Sequence, residues 1–322
     1  MSQAKIVVLG TGGTLAGTSA TAHDNIGYAA AQRGIAELLG AIAPLKNRAL
    51  VSEQVVQIDS KDMDDAVWAQ LAQRCAWWLA QDDVGGVVVT HGTDTLEETA
   101  YLLQALLAPS KPVVLTCAMR PATALSPDGP QNIVDAIAVA AWPGASGVVA
   151  VCAGVIHAAV DVRKQHTYRL DAFGSGDAGP IGYVEEGRLR LLRDWPVAQD
   201  GAPHAAMAWL ASGAAWPQVE IVTSHAGSSG RMVQSLVVQG VRGLVVAGTG
   251  NGTIHHALEA ALQEALAKGV RVMRATRCAQ GRVIGHPRDA FDAGQGLSPV
   301  KARIALQLEM MASPIALPAP AG

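Results

Sequence analysis

The central stretch of the chain changes its hydrophobic period within a few residues. Residues 87–89 are three consecutive valines, a short apolar run that predicts a buried β-strand. Apolar side chains then recur every three or four positions, as on one face of a helix, at Leu96, Leu103 and Leu106. Thr93 and Asp94 therefore lie where a strand ends and a helix begins. In a parallel sheet this is the edge where ligands bind.

The same turn also fits a purely structural role. Asp94 and Glu97 have the spacing of a capping box, and so do Thr95 and Glu98. In such a box the two side chains satisfy the free N–H groups of the first helical turn. A helix cap and a ligand site are compatible, so both interpretations stay open at this point.

Strand and helix patterns alternate through the rest of the chain. In the N-terminal part we predict strands at 5–9, 51–58, 87–89, 112–115 and 148–156, with helices at 31–42, 64–80 and 130–141 between them. In the C-terminal part we predict strands at 219–223, 243–247 and 270–275, and helices at 230–239, 257–268 and 299–311. This order predicts an α/β fold of two doubly wound domains. The larger N-terminal domain spans 1–196 and the smaller C-terminal domain 218–322, joined by a linker, 197–217, that has no clear period.

A glycine-rich turn, GTGGTLAGT, follows the first predicted strand. It does not have the dinucleotide-binding spacing, because Leu15 stands where the third glycine belongs, and it lacks the GK[ST] of a phosphate loop. The glycines instead leave the hydroxyls of Thr11 and Thr14 open. Taken alone, such threonines usually bond their own backbone.

Composition narrows the classes of function. The net charge of -3 gives no electrostatic case for nucleic acid, and no apolar run reaches the roughly 18 residues of a membrane span. The four cysteines are scattered along the chain, at positions Cys75, Cys117, Cys152 and Cys278. We interpret them as free thiols in a reducing compartment. The N-terminus lacks the pattern of a signal peptide, so we expect the cytoplasm. His255–His256 has no metal-ligand spacing, and we expect no metal or cofactor.

Six segments together carry a resemblance to a known family. They are GTGGTLAG (10–17), DSKDM (59–63), VVVTHGTDTLEETAYLL (87–103), TCAMRPATALSPDGPQN (116–132), DVRKQHTYRLDAF (161–173) and GTGNGTIH (248–255). In this order, they resemble the bacterial L-asparaginase/glutaminase family, the amidohydrolases with a threonine nucleophile. The pairing of TGGT with HGTDT is the specific part of the signal.

The resemblance implies roles for individual residues. Thr14 would be the nucleophile, and Tyr28, in the loop at 18–30, would help to move its proton. Thr93, Asp94 and Lys164 would form a second set of hydroxyl, carboxylate and amine. The substrate would be bound by Ser60, Lys61, Thr93, Asp94 and Asn251. The resemblance also implies a homotetramer built as a dimer of dimers, in which Asn251 reaches the site of a neighbouring subunit.

The chemistry of amide hydrolysis is consistent with these roles. An amide is a poor electrophile, so its hydrolysis needs a nucleophile, proton movement and stabilisation of an oxyanion. The hydroxyl of Thr14 needs a base, which Thr93 beside Lys164 can provide. Asp94 can anchor a substrate ammonium by a charge-assisted bond. Taken alone, Tyr28 is a packing residue and Lys164 a solvated surface lysine.

Two positions depart from the family. Lys61 follows Ser60 where family members often carry Gln or Glu. The late segment CAQGRVIGHPRDAFDAG has no clear counterpart of the acidic residue that the family places against the substrate amine, although Asp289 and Asp292 are nearby. Both departures concern the choice of substrate rather than the nucleophile.

The sequence therefore predicts an L-asparagine amidohydrolase that releases L-aspartate and ammonia. The alternatives are an amidohydrolase for L-glutamine or another small amide, and a catalytically silent family member that binds amino acids.

Overall fold

The chain divides into two compact units, Met1–Asp200 and Gly201–Gly322. The computed structural model describes residues 4–21, 23–46, 48–197 and 203–313. The α/β class and the two doubly wound sheets expected from the sequence are confirmed.

The first unit carries the following strands and helices within its described residues: β1 (Lys5–Gly12), α1 (Ile35–Ala41), β2 (Leu50–Ile58), α2 (Asp65–Leu79), β3 (Val84–Thr90), α3 (Leu96–Leu107), β4 (Val113–Thr116), α4 (Gly129–Ala140), β5 (Val148–Cys152), β6 (Val155–Ala158), β7 (Arg163–Lys164), β8 (Phe173–Gly174), β9 (Gly182–Glu185) and β10 (Arg188–Leu191). Its main sheet has the order β10-β9-β6-β5-β4-β3-β1-β2. The five strands from β2 to β5 are parallel, so their carboxyl ends share one edge. β7 and β8 form a separate small hairpin.

Alternating side chains of these strands build the core of the first unit. Ile6, Val8, Val88 and Val114 lie in one cluster with Leu38 of α1 and Ile133 of α4. Their neighbours along the strands point to the opposite face, and α2 and α3 pack against each other and against the strands. Because both faces are covered, the central strands are apolar throughout rather than alternating, and this is the source of the valine run in β3.

The second unit repeats the design on a smaller scale. Its elements are α5 (Pro203–Ser212), β11 (Val219–Thr223), α6 (Arg231–Val238), β12 (Gly243–Gly248), α7 (His256–Ala267), β13 (Arg271–Thr276), β14 (Asp292–Ala293) and α8 (Pro299–Ala312). The four strands of this sheet, among the described residues, pair in parallel in chain order. Separate apolar clusters place α6 and α7 on the sheet at Leu244 and Val246, and α8 at Val245 and Met273.

Two expectations about local structure differ from what the fold shows. The predicted strand at 148–156 is a hairpin of β5 and β6, because the chain reverses at Ala153 and Gly154, both with positive φ. The predicted linker contains α5, which packs against α8.

No helix in the described part of the chain has the length and apolar character that crossing a membrane requires.

Candidate active site

The turn after β1 lies directly against the turn after β3. β1 and β3 are neighbours in the sheet, with Gly10 opposite Thr90. Gly13 has φ 79°, and a Cβ atom there would lie 2.4 Å from the Cα atom of Gly92. The glycines of TGGT and HGTD are therefore needed for this close approach, which brings the segment of Thr14 to the segment of Thr93.

Thr14 is buried and hydrogen-bonded to a tyrosine. It opens a short 3₁₀ turn, Thr14–Ala16, and its Oγ1 lies 2.5 Å from the phenolic oxygen of Tyr28. The loop of Tyr28 is held to this turn, because Thr18 and Ala29 exchange backbone hydrogen bonds. The site thus contains the nucleophile candidate and a partner that can accept or donate its proton.

The environment keeps the phenol of Tyr28 protonated. Burial raises the pKa of Tyr28, while the hydrogen bond from Thr14 lowers it, and the negative charges of Asp59 and Asp94 raise it further. At neutral pH the phenol is uncharged. Tyr28 therefore acts as a neutral hydroxyl, which can accept one proton while it donates its own phenolic proton.

The second group of reactive side chains joins Thr93, Asp94 and Lys164. Lys164 Nζ donates to Thr93 Oγ1 at 2.8 Å and to Asp94 Oδ1 at 2.6 Å. Thr93 is buried, and the side chain of Lys164 is 19% exposed against 53% for Asp94. A hydroxyl in contact with a lysine nitrogen can exchange a proton with it, and the exposed part of Asp94 stays open to a ligand ammonium.

Ser60 joins the end of β2 to the same turn. It is buried in the 3₁₀ turn Ser60–Asp62, and its Oγ accepts the backbone N–H of Asp94 at 3.2 Å. Its carbonyl accepts the hydroxyl of Thr95 at 2.8 Å. Because Oγ only accepts in the bond to Asp94, its own hydrogen remains available to a ligand carboxylate.

The side chain of Lys61 forms an ion pair with the next residue in the sequence, Asp62. Its Nζ lies 2.5 Å from a carboxylate oxygen of Asp62, and the side chain is 60% exposed. The hydrogen bond that Lys61 donates to Asp62 is the main cause of the raised pKa of Lys61. The ammonium of Lys61 is therefore already paired.

Asn251 is bonded within its own unit. It lies in a turn closed by Thr249 and Thr253, and its Nδ2 donates to the carbonyl of Ile284 at 3.0 Å. Its Oδ1 accepts the N–H of Ile284 at 2.8 Å. Asn251 thus fastens the late loop to the turn after β12.

The two acidic residues of the late loop, Asp289 and Asp292, also have partners within their own unit. Asp289 accepts the N–H of His286 and pairs with Arg274, and these contacts lower its pKa. Asp292 opens β14 and pairs in the sheet with Met273. Within the described residues, no three His, Cys, Asp or Glu side chains form a group suited to a metal ion.

His91 is an interior residue of the site that sequence reasoning missed. It is fully buried, and burial lowers its pKa to about 4, so the ring is neutral. Nδ1 lies 2.7 Å from the Gly92 carbonyl, which only accepts, so Nδ1 carries the proton. Nε2 must then accept from the hydroxyl of Thr99 at 3.0 Å, and Thr99 accepts from Trp68 Nε1 at 2.9 Å. This chain fixes the backbone just before Thr93.

A second missed residue, Asn132, braces the neighbouring strand ends. It is buried on α4, where its Nδ2 donates to the carbonyl of Cys117 at 2.9 Å and its Oδ1 accepts the N–H of Ala153 at 3.0 Å. It therefore joins the end of β4 to the end of β5. The only sequence signal for it was its place in the segment DGPQN, which the resemblance included without assigning it a role.

The capping-box interpretation of the central turn is wrong. The N-cap of α3 is Thr95, whose side chain makes no cap hydrogen bond. Its hydroxyl donates to Ser60 instead, and Asp94 pairs with Lys164. The side chains of Asp94 and Thr95 therefore bond to residues of the site rather than to the helix end.

Two doubly wound sheets, with hydroxyl, carboxylate and amine groups converging at the strand ends of the first, define an α/β enzyme. The family model for the N-terminal asparaginase domain matches residues 5–197, and the model for the glutaminase/asparaginase C-terminal domain matches residues 218–313. The chain belongs to the asparaginase family.

Individual relatives are similar over nearly the whole of this chain and over most of their own length. L-asparaginase 2 of Bacillus subtilis is 36% identical over 314 residues, which cover 95% of this chain and 82% of that protein. The glutaminase-asparaginase of Pseudomonas fluorescens is 36% identical over 310 residues, covering 94% and 84%. The crystal structure of a probable cytoplasmic L-asparaginase from Campylobacter jejuni has a TM-score of 0.89 at 36% identity, with 97% of each chain covered.

Proposed function

We propose that the protein hydrolyses L-asparagine to L-aspartate and ammonia with Thr14 as the nucleophile. The observation that carries this proposal is the contact of Thr14 Oγ1 with the phenol of Tyr28, at a turn that touches the segment of Thr93. A hydroxyl is activated by a group that removes its proton as it attacks. Within the described residues, Tyr28 is the side chain that hydrogen-bonds to the Thr14 hydroxyl.

In the first step, the Thr14 oxygen attacks the side-chain amide carbon of asparagine. Tyr28 accepts the Thr14 proton while its own phenolic proton passes to the amide nitrogen. The carbon–nitrogen bond then breaks, ammonia leaves, and the aspartyl group is held on Thr14 as an ester. This division into two easier steps is the usual gain of covalent catalysis.

In the second step, water attacks the ester with the help of Thr93 and Lys164. Thr93 takes a proton from water as its own hydroxyl proton moves to Lys164 Nζ, which gives one of its protons to the Asp94 carboxylate. The ester bond breaks, the proton returns to the Thr14 oxygen, and aspartate is released. Ser60 binds the substrate carboxylate and Asp94 its ammonium in both steps.

The direct test is ammonia release from L-asparagine by the purified protein, compared with the Thr14→Ala variant. Acid quenching during turnover, followed by mass spectrometry of the Thr14 peptide, would detect the aspartyl ester. A wild-type protein that releases no ammonia from any amide would instead be a silent, amino-acid-binding family member.

L-Glutamine is the second substrate that a specific observation favours. Lys61 is paired with Asp62, and Asp289 is paired with Arg274. A lysine offers the substrate amine no hydrogen-bond acceptor, so contacts at the amine set the substrate length less strictly. Rates for asparagine, glutamine and simple aliphatic amides, measured in one panel, would rank the substrates.

The active unit is expected to be a homo-oligomer, as a tetramer of two close dimers. The support is the resemblance to the bacterial family together with the position of Asn251 in a C-terminal turn. Analytical ultracentrifugation at assay concentration tests this oligomeric state.

We also expect the enzyme in the cytoplasm. Cell fractionation with a compartment marker tests that location.

A further inference from the structure

An acidic side chain at the start of α3 has a partner outside its own helix. Glu97 is half-buried in the first turn of α3, where the sequence suggested a capping box. Its Oε1 instead accepts the backbone N–H of Lys164 at 3.2 Å. The positive end of the helix dipole favours a carboxylate at this position, so the acceptor is stabilised where it stands.

This bond means that one short segment holds Lys164 at both ends. Glu97 binds its backbone, and Thr93 and Asp94, a few residues earlier, bind its Nζ. Among the described strands, the two-residue β7 pairs with β8 in the small hairpin, so few sheet hydrogen bonds hold Lys164 in place. The hydrogen bond to Glu97 adds a direct tie between this hairpin and α3.

Fixing the backbone of a lysine has a larger effect than fixing that of a short residue. The side chain has four rotatable carbons, so a small displacement at the backbone spreads the ammonium over many positions. A misplacement of about 1 Å at a reacting group can lower a rate by roughly a hundredfold. The hydrogen bond that the Lys164 N–H donates to Glu97 therefore affects the contact between Lys164 Nζ and Thr93.

We propose that Glu97 is a positioning residue that sets the place of Lys164 through its backbone N–H. This inference rests on the role of Lys164 in the proposed function. It assigns Glu97 no contact with substrate. What it requires of residue 97 is a hydrogen-bond acceptor, whereas a negative charge is not required.

The experiment compares Glu97→Ala with the matched variant Glu97→Gln. Gln keeps a side-chain oxygen at the same reach but loses the charge, and Ala loses both. We expect Glu97→Ala to lower kcat by about tenfold with KM for asparagine changed less than about twofold. Glu97→Gln should restore kcat to within about twofold of wild type. Thermal unfolding of each variant shows whether the fold is kept.

Each other result overturns the inference in a recognisable way. Equal losses in Ala and Gln would mean that charge, rather than the hydrogen bond, matters. A wild-type kcat in Glu97→Ala would remove the positioning role. Lys164→Met, measured beside them, separates the two levels of the argument: if Lys164→Met is as active as wild type, the proposed function of Lys164 fails. If Lys164→Met is inactive and Glu97→Ala is not, only the role of Glu97 fails.

Discussion

The hydroxyl oxygens of Thr14 and Tyr28 lie 2.5 Å apart, at the point where the turn after β1 meets the turn after β3. Thr14 comes from the rigid end of a buried strand, and Tyr28 comes from an irregular loop that folds back over it. The nucleophile therefore comes from a strand end, and its proton carrier comes from a separate loop.

The first prediction concerns this nucleophile. Thr14→Ala should lower kcat by roughly 10³- to 10⁶-fold, because loss of an attacking group removes the covalent route altogether. Steady-state ammonia release measures the loss, and circular dichroism shows that the fold is kept.

Thr11→Val is the matched control for Thr14→Ala. Thr11 lies three residues earlier, near the end of β1, and its hydroxyl donates to the carbonyl of Thr90 rather than to Tyr28. Thr11→Val should leave kcat within about threefold of wild type and lower the unfolding temperature slightly. If Thr11→Val were inactive and Thr14→Ala active, the assignment of the nucleophile would be reversed.

Much of the site was predictable because parallel strands end at one edge. The runs before Thr14, Ser60 and Thr93 were recognisable as strands from their apolar residues, so their convergence followed from the fold class. What the pattern did not contain was the partner of each polar group. Spacing alone suggested that Glu97 caps a helix, whereas its partner lies 67 residues away in the sequence.

Local patterns also failed where structure depends on distant packing. The sequence of α5 is rich in alanine and lacks a polar face, so it showed no helical period, and Pro203 suggested a break. Proline is tolerated at the first position of a helix, which is where Pro203 stands. The reversal between β5 and β6 depends on Ala153 taking a positive φ, which alanine rarely does.

The second prediction concerns Lys61. Because its ammonium is paired with Asp62, Lys61→Gln should leave kcat unchanged and alter KM for asparagine by no more than about twofold. Ser60→Ala is the comparison, since it removes a buried hydroxyl next to Asp94 and should raise KM about tenfold. Initial rates over a range of asparagine concentrations give both constants. A fall in kcat equal to the fall in kcat/KM would place Lys61 in the chemistry.

The third prediction links His91 to stability at mildly acidic pH. Burial lowers the pKa of His91 to about 4 from 6.5, so between these values the unfolded chain binds a proton that the folded chain does not. The free energy of unfolding should therefore fall as the pH drops from 6.5 to 4, by about 3 kcal/mol from this group. Above pH 6.5 the contribution is complete and constant.

The variant His91→Gln tests how much of the pH dependence of the unfolding free energy comes from His91. Gln has hydrogen-bonding groups but does not titrate, so its unfolding free energy should depend less steeply on pH over the same window. Urea unfolding at pH 7 and pH 5 supplies the comparison. Parallel pH dependences of wild type and variant would show that His91 is not the group responsible.

The last prediction is that active sites are shared between subunits, with Asn251 serving a neighbour's site. Asn251 has both ends of its amide bonded to Ile284, so it holds a loop of the second unit, while Thr14 lies in the first. Asn251→Ala and Thr14→Ala should each be inactive alone. After joint dissociation and reassembly, half of the two-chain interfaces are mixed, and each mixed interface has one site with both residues intact. About a quarter of the wild-type activity should return.

A mixture of Thr14→Ala with Thr93→Val is the control for this experiment. Both residues lie in the first unit, so each site takes both from the same chain, and no hybrid should regain activity. If the Asn251 mixture also stayed inactive, Asn251 would serve its own chain. If Asn251→Ala alone were fully active, the hydrogen bonds to Ile284 would be its whole role. A protein that is fully active while it sediments as a monomer would exclude shared sites altogether.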